Sequence, residues 1–158
     1  KGPYYIAEWY PGWFDSWGSP HQGSNADQDA KKLDTVLSAG ISINLYMFHG
    51  GTTRGFMNGA NMSRREPYSP QTSSYDYDAP LDESGNPTAK FYKFREIIQK
   101  HLPAGVKLPP VPAKNKTIAI PNISLTGRGA LFGNLGTPVT SEKPLCFEDL
   151  GQGYGFVL

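Results

Sequence analysis

Residues 41–48, Ile41-Ser42-Ile43-Asn44-Leu45-Tyr46-Met47-Phe48, form a β-prone, largely apolar run directly behind a glycine, Gly40. A run of this kind is the pattern of a strand buried on both faces, which occurs where helices cover a parallel sheet. The residues before it agree. Asn25 can cap a helix with Gln28 at the capping-box position, Ala30, Leu33, Val36 and Leu37 recur on one face, and Gly40 stops the helix. Upstream, residues 4–7 read as a short strand that ends at Glu8, followed by an aromatic, Pro- and Gly-rich loop. The order strand, helix, strand is a parallel βαβ unit with a right-handed crossover.

A long loop follows Gly50-Gly51 to about Pro80, after which Asn86-Pro87 reads as an N-cap with proline at the first helical position. Phe91, Phe94, Ile97 and Ile98 give that helix its apolar face. The pattern to about Lys100 is therefore βαβα, an α/β class chain whose two units are too few to close a barrel by themselves. Pro103, Pro109, Pro110 and Pro112 favour extended chain, so residues 1–102, a linker at 103–115 and a further domain over 116–158 are the expected divisions. In the last of these, residues 118–125 and 154–158 read as strands between Gly and Pro turns, the beginning of an all-β domain.

Charge excludes two classes of partner. Lys plus Arg is 15 against 14 for Asp plus Glu, a net +1 that attracts neither nucleic acid nor an anionic membrane surface. The longest apolar stretch, Leu45-Tyr46-Met47-Phe48, falls far short of the roughly 18 residues of a membrane span. The single Cys146 reads as a small buried hydrophobe. Asn61-Met62-Ser63, Asn115-Lys116-Thr117 and Asn122-Ile123-Ser124 are N-glycosylation sequons and lean towards the secretory pathway. The chain opens at Lys1 without an initiator Met or a signal segment and ends at Leu158 within an apolar run, so it is expected to be a fragment of a longer protein.

Glu8 carries the most chemical information, because the carboxyl ends of strands are where α/β sheets place ligands and catalytic groups. Trp9, Tyr10, Trp13 and Trp17 follow it, and aromatic faces stack well on the C–H patches of sugar rings. From spacing alone the same residues read equally as core aromatics beside a solvated strand end. Glycoside hydrolysis usually needs two carboxyl groups, one of them a proton donor, about 5 to 5.5 Å apart for retention or roughly 6.5 to 9.5 Å apart for inversion. Asp15, Asp76 and Asp78 are partners by residue type, although Asp76 and Asp78 sit in a turn-like segment where structural roles are expected. His21, His49 and His101 lack zinc-site spacing, and Gly50-Gly51-Thr52 is no phosphate loop, so neither metal nor nucleotide is expected.

Glu8-Trp9-Tyr10-Pro11-Gly12-Trp13-Phe14-Asp15-Ser16-Trp17-Gly18 closely resembles the nucleophile segment of glycoside hydrolase family 35, the β-galactosidases. Ile43-Asn44-Leu45-Tyr46-Met47-Phe48-His49-Gly50-Gly51-Thr52 is similar to that family's next barrel strand, and Asn58-Gly59-Ala60-Asn61 to the loop beyond it. Ser74-Tyr75-Asp76-Tyr77-Asp78-Ala79-Pro80-Leu81 is a further match in the same order, and residues 154–158 look like the start of the family's first β-domain.

The resemblance implies the last two βα units of a (β/α)8 TIM barrel, then a Pro-rich linker and the start of an all-β domain. It implies Glu8 as catalytic nucleophile, Tyr77 as a galactose contact, and Tyr46 and Trp13 lining the same site. It further implies an exo-acting, retaining β-galactosidase without cofactor, acting on β-galactoside oligosaccharides or glycoconjugates in a lysosomal or extracellular setting. The family's acid/base glutamate belongs to an Asn-Glu motif on an earlier strand, and no Asn-Glu dipeptide occurs in these residues. The missing remainder of the chain is thus an expected partner, and the 158 residues alone are expected to be inactive. Two rivals stay open: a non-catalytic glycan-binding protein on the same fold, and an exo-glycosidase for another β-linked sugar.

Overall fold

A computed structural model describes residues 2–65 and 67–153. They fall into two units, Lys1–Lys116 and Thr117–Leu158. The expected strand at 154–158 lies outside the described residues.

The first unit is mixed α/β. Strand β1 (Tyr5–Trp9) leads to helix α1 (Ala26–Ser38) and strand β2 (Ser42–Leu45), and β1 pairs parallel to β2. The register is Tyr5 with Ser42, Ile6 with Ile43 and Trp9 with Leu45, so β1 carries one extra residue between Ile6 and Trp9. That irregularity falls on Ala7 and Glu8, and a bulge of this kind re-aims the side chains it carries. In the long loop, β3 (Ala60–Asn61) and β4 (Ser69–Pro70) make a two-residue antiparallel ladder. Helix α2 (Ala89–His101) closes the unit.

Helix α1 begins and ends where its residues direct. The Asn25 side chain accepts from the backbone N–H groups of Asp27 and Gln28 at 3.0 and 3.1 Å, satisfying two of the helix's orphan donors. At the other end Gly40, at φ 71°, donates to Leu37 and Ile41 donates to Val36, the paired bonds of a Schellman stop. Leu33 and Ala30 of α1 meet Phe94 of α2, and Trp9, Leu37, Ile43, Leu45, Ile97 and Ile98 pack around them. Each fully buried side chain of this size contributes about 1.5 to 3 kcal/mol. Ion pairs from Lys93 to Asp27 and from Lys100 to Asp34, both at 2.8 Å, join the helices outside this core.

Several expectations are corrected. The strand expected over 41–48, buried on both faces, spans Ser42–Leu45 and buries one face: Ile43 and Leu45 point to the helices while Ser42 and Asn44 are exposed. Both helices lie against that one apolar face. Helix α2 is capped by Thr88, whose hydroxyl accepts from Phe91 N–H at 3.3 Å, and not by Asn86. Asn86 is instead held in the turn before it, where its N–H donates to Asp82 at 2.8 Å. Its side-chain oxygen accepts from Asn115 N–H at 2.7 Å, which removes it from the capping position.

After a turn in which Val106 N–H donates to the Pro103 carbonyl, residues 106–109 lie against α2. Gln99 reaches them twice, donating to the Val106 carbonyl at 2.8 Å and accepting from Leu108 N–H at 2.9 Å, while Arg95 donates to the Pro109 carbonyl. In the second unit the described residues hold two short 3-10 turns, Leu131–Gly133 and Glu148–Leu150. No strand forms over 118–125, because no opposing strand among the described residues takes up its backbone groups and Ile118 and Leu125 stay 87% and 92% exposed. Cys146 is exposed, not buried: its thiol contacts the Asp149 carboxylate at 3.1 Å, and the described residues around it form no packed core.

Candidate active site

Glu8 stands exposed near the carboxyl end of β1, at the bulge. Neighbouring residues on a strand point to opposite faces, so Trp9 turns into the helix core, 5.6 Å from the Phe94 ring, while Glu8 faces away from it. The partner of Glu8 among the described residues is Tyr10, whose hydroxyl donates to Oε2. That bond to a carboxylate raises the Tyr10 phenol above its ordinary value, because ionising it would destroy the bond and set two negative charges together.

From Tyr10 the aromatic contacts continue without a break. Its ring lies edge-on to Trp13 at 5.7 Å and to Tyr46 at 5.8 Å, and Tyr77 lies 5.7 Å from Tyr46 and 5.9 Å from Trp13. Edge-to-face geometry of this kind is the favoured arrangement of aromatic quadrupoles. Phe14 and Tyr75 back the cluster, and the Tyr46 and Tyr75 hydroxyls stand 3.5 Å apart. Trp13, Tyr46 and Tyr77 thus share one cluster with Tyr10, which holds Glu8. Of the four aromatics read around Glu8, Tyr10 and Trp13 belong here, Trp9 belongs to the helix core, and Trp17 is exposed.

Exposure within the cluster is uneven. Tyr10 and Trp13 are 50% and 45% exposed, whereas Tyr77 is 2% exposed. Burial, with the charge that Tyr46, Tyr10 and Glu8 would place beside a phenolate, pushes the Tyr77 phenol up to about 12. Beyond Trp13 a groove with polar lining passes Ser16, Ser19 and Gln22 to Asn61 and Ser69. The arrangement offers a carboxylate beside an aromatic face and a polar channel leading away.

Tyr77 is set by unusual backbone. Both Tyr77 and Asp78 have positive φ, 66° and 49°, a region that costs a non-glycine residue on the order of 1 to 3 kcal/mol unless its surroundings hold it. Gly12 is part of that hold: a Cβ there would lie 2.0 Å from the Tyr77 carbonyl oxygen, so only glycine admits the approach. Gly50 does the same at the Tyr75 carbonyl, where a Cβ would lie at 1.6 Å.

Among the described residues no aspartate is partnered with Glu8. Asp15 binds the His21 ring at 2.6 Å and accepts from Gln22 N–H at 2.7 Å; burial opposes its ionisation, but these two contacts outweigh burial and hold the carboxyl below its ordinary value. Asp76 accepts from Asp78 N–H at 3.3 Å within the turn, and Asp78 pairs with Lys90 at 2.6 Å. Both are structural, as the turn composition predicted. The sequon residues Asn61, Asn115 and Asn122 are all exposed, and the Asn115 side-chain N–H donates to the Ser84 carbonyl at 2.7 Å.

Glycosyl hydrolases family 35 matches residues 1–101. The chain belongs to that family. It is 45% identical over 158 residues to a Beta-galactosidase of Xanthomonas manihotis, covering 99% of this chain and 26% of that protein. It is 41% identical over 165 residues to a Beta-galactosidase of Mus musculus, 100% of this chain and 24% of that protein. A Homo sapiens Beta-galactosidase-1-like protein 2 is 41% identical over 166 residues, with 99% and 25% covered. The family 35 chain thus spans about a quarter of the length of these relatives.

Two features of the site escaped the sequence. Lys90 occupies the buried face of α2, four residues before Phe94, and a lysine in core register is itself the signal that was available. Tyr10 is among the aromatics read around Glu8; the part missed is its hydroxyl bond to the carboxylate, for which the shared face of residues two apart on a strand is the available signal.

Proposed function

We propose that residues 1–102 supply the last two βα units of the (β/α)8 catalytic barrel of a retaining β-galactosidase, with 103–115 as the linker and 116–158 as the start of a β-domain. The observation that carries this reading is Glu8, exposed near the carboxyl end of β1 beside the open faces of Tyr10 and Trp13. It is supported by membership of a family whose matched relatives are named Beta-galactosidase. The substrate is a terminal β-galactoside of an oligosaccharide or glycoconjugate, and the sugar stacks on Trp13 with Tyr46 and Tyr77 shaping the pocket floor.

Tyr10 occupies one carboxylate oxygen of Glu8, and the other attacks the anomeric carbon. The carbon–oxygen bond to the leaving group breaks as a carboxylic acid from the remainder of the chain protonates that oxygen, leaving a galactosyl ester on Glu8. The same group, now a carboxylate, takes a proton from water, which attacks the anomeric carbon, restores Glu8 and releases galactose with retained configuration. Each step uses protein side chains and water, so no cofactor enters. The exposed sequons at Asn61 and Asn122 support passage through the secretory pathway, to a lysosomal or extracellular destination.

A second reading, a glycan-binding protein without turnover, draws on the absence of a second carboxylate partnered with Glu8 among the described residues. The full-length protein separates the two. A catalyst hydrolyses an aryl β-galactoside, and Glu8→Gln lowers kcat by about four or more orders of magnitude, as loss of a nucleophile does. Sugar binding with no turnover in the wild type, or near-normal kcat in Glu8→Gln, would contradict the proposal. Aryl glycosides of other β-linked sugars test the remaining rival.

A further inference from the structure

We infer that Lys90 is a positioning residue for this site: one buried ammonium ties the loop that follows Glu8 to the turn that carries Tyr77. Lys90 is 3% exposed, and its Nζ donates to the Pro11 carbonyl at 2.6 Å and to the Asp78 carbonyl at 2.7 Å. It also contacts Asp78 Oδ2 at 2.6 Å, Ser24 Oγ at 2.8 Å and Asp29 Oδ2 at 3.4 Å. Three protons are therefore shared among five oxygens from three segments of the chain.

The positions of the two carbonyls give this hub its meaning. Pro11 lies between Tyr10, which holds Glu8, and Trp13, which forms the open aromatic face. Asp78 follows Tyr77, and both adopt positive φ. The two segments already touch where Gly12 meets the Tyr77 carbonyl, and Lys90 fastens them on either side of that approach. The start of α1 joins through Ser24, whose N–H donates to Asp78 Oδ2 at 2.8 Å. Charge balances locally, since Lys32 pairs with Asp29 at 2.8 Å and Lys90 with Asp78.

A lysine suits this place because its ammonium is a compact point charge with three steerable donors; the planar guanidinium of arginine cannot address carbonyls arriving from separate directions. The inference rests on Glu8 being the nucleophile, and its test is arranged to be separable from that reading. In the full-length enzyme, Lys90→Met is expected to speed amide hydrogen exchange in peptides covering 10–17 and 75–79 together, with 5–9 and 42–45 at wild-type rates. Its kcat/KM on an aryl β-galactoside is expected to fall by about tenfold to a hundredfold, mostly through kcat, as for reacting groups displaced by about 1 Å.

Methionine leaves Asp29 and Asp78 without their buried cation and risks misfolding. If Lys90→Met does not fold, Asp78→Asn carries the test, because asparagine keeps the side chain's size and tolerates positive φ. Smaller changes in the same two segments and in kcat are expected. Exchange that rises everywhere or in neither segment, or a folded variant with wild-type kcat/KM, overturns the inference. Turnover retained in Glu8→Gln removes the nucleophile reading instead, and the exchange pattern then judges the tether alone.

Discussion

The Tyr10 hydroxyl donates to Oε2 of Glu8, two residues back along the same strand end. If Glu8 is the nucleophile as proposed, the bond leaves its other carboxylate oxygen to react. In Tyr10→Phe the ring contacts with Trp13 and Tyr46 persist while the donor is lost. Steady-state kinetics of the full-length variant should show kcat/KM on an aryl β-galactoside lower by on the order of tenfold to a hundredfold, with KM nearly unchanged. An equal loss in KM alone would place Tyr10 in sugar binding and not in orienting the carboxylate.

Burial pushes the Tyr77 phenol up to about 12 from 10.0 when free, so the folded protein is expected to lose stability in alkali. Below pH 10 both folded and unfolded chains keep it neutral, and the stability from this difference is fully present. As pH rises from 10 towards about 12 the unfolded chain ionises first and that stability drains away. Melting temperature followed through this window should fall more steeply for the wild type than for Tyr77→Phe. Parallel curves would show that Tyr77 ionises freely in the folded state.

Gly12→Ala tests the contact between the Glu8 loop and the Tyr77 turn. The new methyl would lie 2.0 Å from the Tyr77 carbonyl oxygen, so backbone on one side has to move. Overpacking of this kind costs about 1 to 3 kcal/mol. Calorimetry should record a lower melting temperature, and kcat/KM measured well below that temperature should fall as well. A fully active, fully stable variant would mean that the two loops are free to separate.

The helices show how much of the fold was legible in the residues, and why the rest was not. Asn25 and Gly40 mark the ends of α1 because each satisfies nearby backbone groups, a local matter that a sequence records. Asn86 has equally good local credentials, but Asn115, 29 residues away, recruits its side chain and leaves capping to Thr88. Trp9 was grouped with Glu8 by adjacency, whereas the strand sends the two to opposite faces. Trp13, Tyr46 and Tyr77 were selected by resemblance, and the structure brings their rings together. The Lys90 hub depends on contacts across as many as 79 residues, which no local pattern encodes.

As the proposed nucleophile, Glu8 should form a covalent bond to the sugar during turnover. A 2-deoxy-2-fluoro-β-galactoside with a good leaving group, added to the full-length protein, slows breakdown of such an ester enough for the adduct to be isolated, digested and sequenced by mass spectrometry. The expected product is a fluorogalactosyl adduct on Glu8 whose formation parallels loss of activity. An adduct on another carboxylate, or inactivation without any adduct, would contradict the proposal.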